Sequence, residues 1–192
     1  MAKKKVVRKK AASKSKKKSS KPKPLSQDAM MAMWQEAMTP SDGHRRLEPM
    51  AGTWRAKTTF FMTPGDPPQV SEGKSVHRWV VGGRYLEQSY TGTSMGMPFE
   101  GLGYTGYDNV KKRYVGAWMD SFSTGLMQSV GVGRPTPAKM NFVAESFEPS
   151  GKKIVFETTL KIADNDHHTY EMWTKAPNGK KFRTMLVEYT RA

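Results

Sequence analysis

Trp118 and Asp120 stand two residues apart in a stretch that alternates as a β-strand does, so an indole and a carboxylate share one face. Inside a cavity such a pair would hold a polar group of a ligand against an aromatic wall. On a surface, Asp120 would instead accept hydrogen bonds from the Ser121–Thr124 turn. Glu171, among aromatic residues, and Arg84, directly after Gly82-Gly83, pose a similar choice between a pocket and a buried ion pair. The four histidines are His44, His77, His167 and His168, and none has a helical i, i+4 partner. Their default role is structural. His167 and His168 project to opposite faces of a strand, so at most one can face an interior. The candidate ligand-binding set is Arg84, Trp118, Asp120, His168 and Glu171.

Reactive-site motifs are missing. The chain has no nucleophile elbow, phosphate-binding lysine loop or zinc-ligand spacing. Gly101-x-Gly103-x-x-Gly106 matches the dinucleotide fingerprint letter by letter, but it lies in an aromatic β segment with no helix behind it to receive a pyrophosphate. Close strand packing or bends explain these glycines better. There is no cysteine, which removes disulfides and thiol chemistry and fits a reducing, cytoplasmic setting. No catalytic residue, metal or cofactor is assigned. A hydrolase or isomerase would require at least two of Asp120, Glu171 and His168 to meet in a cavity.

The elements that must position these residues are mostly strands. After residue 52, alternating segments are expected near 53–62, 74–81, 84–93, 99–107, 114–120, 126–133, 139–147, 152–162, 168–175 and 181–189. Turn residues such as Gly82-Gly83, Asp108-Asn109 and Pro177-Asn178-Gly179 separate them. Ten strands without helical crossovers predict an antiparallel barrel or sandwich. Residues 25–51 form a helical lead-in. Ser26 caps a helix to Met38, Pro40 ends it, and Ser41 caps a shorter one. Met30, Met33, Trp34, Ala37 and Met38 recur on one side of the first helix, a stripe expected to cap the barrel mouth or core.

Gly52-Thr53-Trp54 opens the first long strand after a helical turn, which resembles the Gly-x-Trp signature of lipocalin-like (calycin-like) barrels. That likeness implies that Trp54 plugs the closed end and that Arg191, after the last strand, stacks on it. A longer series of matches runs along the chain: His44-Arg45-Arg46-Leu47, Ala51-Gly52-Thr53-Trp54, Gly82-Gly83-Arg84-Tyr85-Leu86, Gly96–Gly101, Gly106-Tyr107-Asp108-Asn109, Trp118–Ser121, His168–Met172 and Tyr189-Thr190-Arg191. In this order they resemble the bacterial domain-of-unknown-function family 1579 (DUF1579). The resemblance implies a ten-stranded, lipocalin-like, all-β antiparallel barrel over residues 52–192, and no activity.

Charge sets the N-terminus apart. Of 32 Lys and Arg, 12 lie in residues 1–24, which hold no acid; the rest of the chain keeps 20 against 17 acids, a net of only +3. Such a tail, poor in apolar residues, is expected to be disordered. Its cations, among them Lys3, Lys4, Lys5, Arg8, Lys9, Lys10, Lys16, Lys17 and Lys18, suit non-specific contact with nucleic acid. An anionic membrane surface draws on the same charges. No apolar run is long enough to span a membrane. The leading functional expectation is a barrel that binds a small, partly apolar molecule, with the tail as a polyanion-binding arm. The alternative is a filled barrel acting as a scaffold tethered to nucleic acid.

Overall fold

A computed structural model describes residues 25–192. Helix α1 (Gln27–Met38), helix α2 (Asp42–Arg45) and a 3-10 turn (Glu48–Met50) lead into ten strands. These are β1 (Gly52–Phe60), β2 (Gln69–Val80), β3 (Tyr85–Ser94), β4 (Met97–Asp108), β5 (Arg113–Asp120), β6 (Met127–Thr136), β7 (Lys139–Phe147), β8 (Lys153–Ile162), β9 (His167–Lys175) and β10 (Lys181–Arg191). Each strand pairs antiparallel with its sequence neighbours, and β10 returns to β1, so the sheet closes into a barrel. Closure leaves no exposed sheet edge and excludes the sandwich. The tail expectations, for disorder and for nucleic-acid contact through Lys3–Lys18, lie outside the described residues.

Strand positions follow the alternation closely, with one difference. β2 starts at Gln69, five residues before the expected Lys74, and runs through Gly73. Gly73 pairs with Gly92 of β3, and a side chain at Gly73 would collide with the Tyr90 ring that crosses it. The glycine makes room for a tyrosine and does not break the strand.

Two apolar clusters divide the interior. One, toward the lead-in, joins Leu47 and Met50 to Leu86, Tyr114, Met140 and Leu160. The other gathers Trp54, Ala56, Tyr90, Val187 and Tyr189, with Phe99, Trp118 and Tyr170 partly buried against it. The lead-in is fastened at the same end. Tyr107 lies over Gly43, Tyr114 Oη donates to the Gly43 carbonyl (2.9 Å), and Trp79 Nε1 donates to Glu48 (2.7 Å).

Helix α1 departs from expectation. Ser26 Oγ caps it by accepting from the Ala29 N–H (3.2 Å), and Asn109 Nδ2 ties down its last turn through the carbonyls of Glu36 and Thr39 (3.2 and 2.7 Å). Yet no residue of α1 is buried. The methionine stripe caps neither the mouth nor the core, because only the end of the helix reaches the barrel. Among the described residues no helix is long and apolar enough to cross a membrane.

Candidate functional site

The closed end shows what a finished plug requires. Trp54 has no exposed surface, donates its indole N–H to the Met50 carbonyl (2.8 Å), and carries the Arg191 guanidinium over its ring at 4.2 Å. Arg191 also donates to the carbonyls of Pro49 and Ala51 (3.0 and 3.1 Å), which closes the 3-10 turn. Gly52 is needed twice: its φ is +133°, and a Cβ there would run into the Arg191 guanidinium.

Above that plug the barrel encloses a cavity of about 650 Å³ that opens between the β3–β4 and β5–β6 turns. Its walls come from the inward parity of each strand. β1 supplies Thr58 and Phe60; β9 supplies His168, Tyr170 and Met172; β10 supplies Met185, Val187 and Tyr189. Trp118 forms one wall. Its ring lies flat over Gly101 and Gly103 of β4, where a Cβ on either glycine would overlap the indole. Gly106, the third glycine of the fingerprint-like run, clears the Tyr85 ring in the same way. The run therefore serves aromatic packing, as close strand packing required. Asp120 Oδ2 accepts from Trp118 Nε1 (2.8 Å) and Oδ1 accepts from the Phe122 N–H (3.0 Å), so the indole and the turn share the carboxylate. The turn reading of Asp120 holds, and the carboxylate also fixes the indole that walls the cavity.

The floor is polar and uncharged at neutral pH. His168 is 1 % exposed, stacked on Tyr189 (4.2 Å between centroids) and edge-on to Trp54 (4.3 Å). Neither of its ring nitrogens has a hydrogen-bond partner. His77, 3 % exposed, stands 5.5 Å from it, centroid to centroid. Gln88 Nε2 donates to both Ser75 Oγ (3.2 Å) and Tyr189 Oη (2.9 Å), which leaves the Ser75 hydroxyl free to donate to His77 Nε2 (2.9 Å). His77 Nδ1 has no partner in hydrogen-bonding geometry, although the nearby Met50 carbonyl offsets part of the burial cost. Burial lowers His77 to about 4. Burial first, then the neighbouring His77 and Arg191, lowers His168 to about 3. Burial pushes the Tyr170 hydroxyl up to about 12 and raises Tyr189 as well.

Two of the expected ligand-binding residues lie elsewhere. Glu171 points outward from β9, where Lys161 Nζ (2.9 Å) and Trp173 Nε1 (3.2 Å) donate to it; the lysine hydrogen bond is the main reason its carboxyl titrates below the usual range. Arg84 belongs to the β2–β3 turn and donates to the Val81 carbonyl (3.2 Å), lining a separate cleft of about 220 Å³ with His44 and Met38. Trp118, Asp120 and His168 line the cavity; Arg84 and Glu171 do not. His167 turns out to solvent toward Asp164 (3.0 Å). His77, Gln88, Tyr170 and Tyr189 were not expected at the site. Period-two spacing from His168 to Tyr170 and Met172 was the available signal for that inner row.

The family described as "Protein of unknown function (DUF1579)" matches residues 39–191. No curated protein matches the chain. Among solved structures, the chain is similar to Rv2717c from M. tuberculosis, with TM-score 0.59 and 16 % identity over 80 % of this chain and 99 % of that one. A redesigned beta barrel aligns with TM-score 0.41 and 17 % identity over 77 % of this chain and 96 % of that one. The structure of EF1p2_mFAP2b bound to DFHBI gives 0.44 and 14 % over 78 % and 99 %. At 16 % identity the likeness to Rv2717c concerns the fold alone.

Proposed function

This chain belongs to the DUF1579 family, and from that premise we propose that its barrel is a binding module for a small, largely apolar molecule carrying one uncharged hydrogen-bonding group. The observation that carries the reading is His168, almost wholly buried on the cavity floor with both nitrogens unpartnered. Buried polar atoms nearly always find partners, and each one left without costs about 1–3 kcal/mol. Neighbouring side chains cover both nitrogens, so a hydroxyl, carbonyl or amide that presses into the floor and shifts those side chains would supply one. A neutral imidazole offers one donor and one acceptor, which suits such groups. The neutral histidines and tyrosines of the floor supply no charge to attract a carboxylate or ammonium head, and the Asp120 carboxylate on the wall is already shared by Trp118 Nε1 and the Phe122 N–H.

The walls suit an aromatic or branched apolar body, and the volume lies within the roughly 300–1,000 Å³ common for small-molecule pockets. A cavity of this size favours binding over the filled-barrel scaffold. The hydrolase or isomerase reading loses its geometry: Glu171 lies on the outer face, and Asp120 and His168, although both line the cavity, share no hydrogen bond.

Native mass spectrometry of the full-length protein, purified from its own source, is expected to show a retained small molecule. An uncharged solvatochromic naphthalene dye should bind saturably, and His168→Leu should weaken that binding by at least about tenfold, as loss of a buried hydrogen-bonding partner does. No retained molecule together with no saturable dye binding would return the barrel to a scaffold.

A further inference from the structure

We propose that α1, with the lysine-rich segment before it, docks the closed end of the barrel on an anionic membrane surface. The helix is amphipathic and uncovered. At 100° per residue, Ala29, Met30, Met33, Trp34, Ala37 and Met38 fall on one broad face, with Asp28, Gln35 and Glu36 opposite. Trp34 is 60 % exposed, and Met30, Met33 and Met38 are each at least half exposed. A soluble barrel gains nothing from showing this face to water.

A second feature points the same way. The β4–β5 turn, which anchors α1 through Asn109, carries Val110 at its tip, 75 % exposed, followed by Lys111, Lys112 and Arg113. Val110 and Met38 border the same cleft, so the helix end and this apolar tip adjoin. Lys112 reaches Glu36 of α1 (3.4 Å) and Lys111 reaches Asp108 (3.7 Å), but both lysines are more than half exposed, where such pairs are weak.

Charge selects the occupant. The helix carries two acids and no base, so its attraction to an anionic surface must come from the 12 cations of residues 1–24 directly ahead of it. Lysines near an anionic leaflet supply long-range attraction, and an apolar helix face with a tryptophan supplies the short-range anchor. Nucleic acid would satisfy the cations and leave the methionines and Trp34 in water. A second copy of the chain on this face would bring two 12-cation segments together. As a lid over its own barrel the stripe is misplaced, because the mouth opens at the opposite end. Docked by its closed end, the barrel keeps that mouth open to solvent.

The test uses full-length protein sedimented with phosphatidylcholine vesicles, with and without phosphatidylglycerol, at near-physiological salt. Wild type should pellet only with phosphatidylglycerol. Two full-length variants should each bind at least about tenfold less, given that stable anchoring needs both signals. One combines Met30→Ser, Met33→Ser, Trp34→Ser and Met38→Ser; the other combines Lys→Gln at Lys3, Lys4, Lys5, Lys16, Lys17 and Lys18. Because all four substituted side chains are at least half exposed, the helix variant should keep a near-wild-type melting temperature, which separates lost docking from lost folding. Three results would each overturn the proposal: no vesicle binding by wild type, a concentration-dependent dimer that the helix variant abolishes, or full vesicle binding by the helix variant with duplex DNA as an equal competitor. The last would assign the segment to polyanions at large.

Discussion

Trp54 and Trp118 are built alike and end differently. Each faces the barrel interior and donates its indole N–H to a nearby oxygen; glycines clear the Trp118 ring itself, whereas Gly52 clears the Arg191 guanidinium that covers Trp54. Around Trp54 the second face is closed as well: Arg191 covers the ring, His168 meets its edge, and the lead-in seals the rim. Around Trp118 one face lies on Gly101 and Gly103, and the other borders the cavity. The difference teaches that a buried aromatic becomes a plug or a wall according to what covers its second face. The sealed end should hold most of the stability, and the open half should hold the function.

The largest expected effect tests the sealed end. Trp54→Ala should cost about 3–5 kcal/mol in chemical denaturation, as a large core truncation does. A loss below about 1 kcal/mol would show that Trp54 is no plug.

Next comes pH. Both floor histidines are neutral in the fold, with values near 4 and 3, whereas the unfolded chain takes up protons near the ordinary 6.5. The unfolded state therefore binds more protons between those limits. Stability should be flat from about pH 7 to about 9 and fall below about 6.5, with a slope of up to ~1.4 kcal/mol per pH unit for each histidine. Replacing His168 with Leu should flatten that slope. An unchanged slope would mean that the imidazoles titrate elsewhere.

A smaller effect probes the wall. Gly101→Ala places a methyl group where the Trp118 ring lies, so the indole must move into the cavity; the expected cost is about 1–3 kcal/mol, as for overpacking. Dye binding should weaken with it, and intact binding would show that the indole does not shape the site.

The smallest stability effect is also the sharpest contrast. His168→Leu at pH 7 should change stability by less than about 1.5 kcal/mol, because it removes two unpartnered polar atoms while keeping an apolar volume. It should nevertheless lose the dye. A large destabilisation would mean that its edge contact with Trp54 outweighs the cost of its unpartnered nitrogens.

Much of this arrangement is written locally. Period-two alternation and turn residues mark all ten strands; the largest difference is the start of β2, at Gln69 rather than Lys74, where Gly73 continues the strand because Tyr90 needs its space. One constraint was present and unused. His168 and Glu171 are three residues apart on a single strand, so a regular pleat puts them on opposite faces, and Glu171 is indeed paired outside with Lys161. Arg84 was misplaced for another reason: it precedes the first residue of β3, in a turn where alternation no longer assigns a side.

By itself the sequence determined the strands, their turns and the segregation of charge into residues 1–24, because backbone pleat, turn geometry and composition act over a few residues. Only the tertiary structure decided which face of each strand is the inside, since alternation is symmetric until β10 pairs with β1 and encloses one face. The Arg191–Trp54 stack was implied by the lipocalin-like resemblance; the tertiary structure alone added its passage beside Gly52 and left the methionine face of α1 uncovered. It also decided that Trp118 and His168 border a void. Whether inner side chains meet across a barrel depends on its girth and on partners far away along the chain.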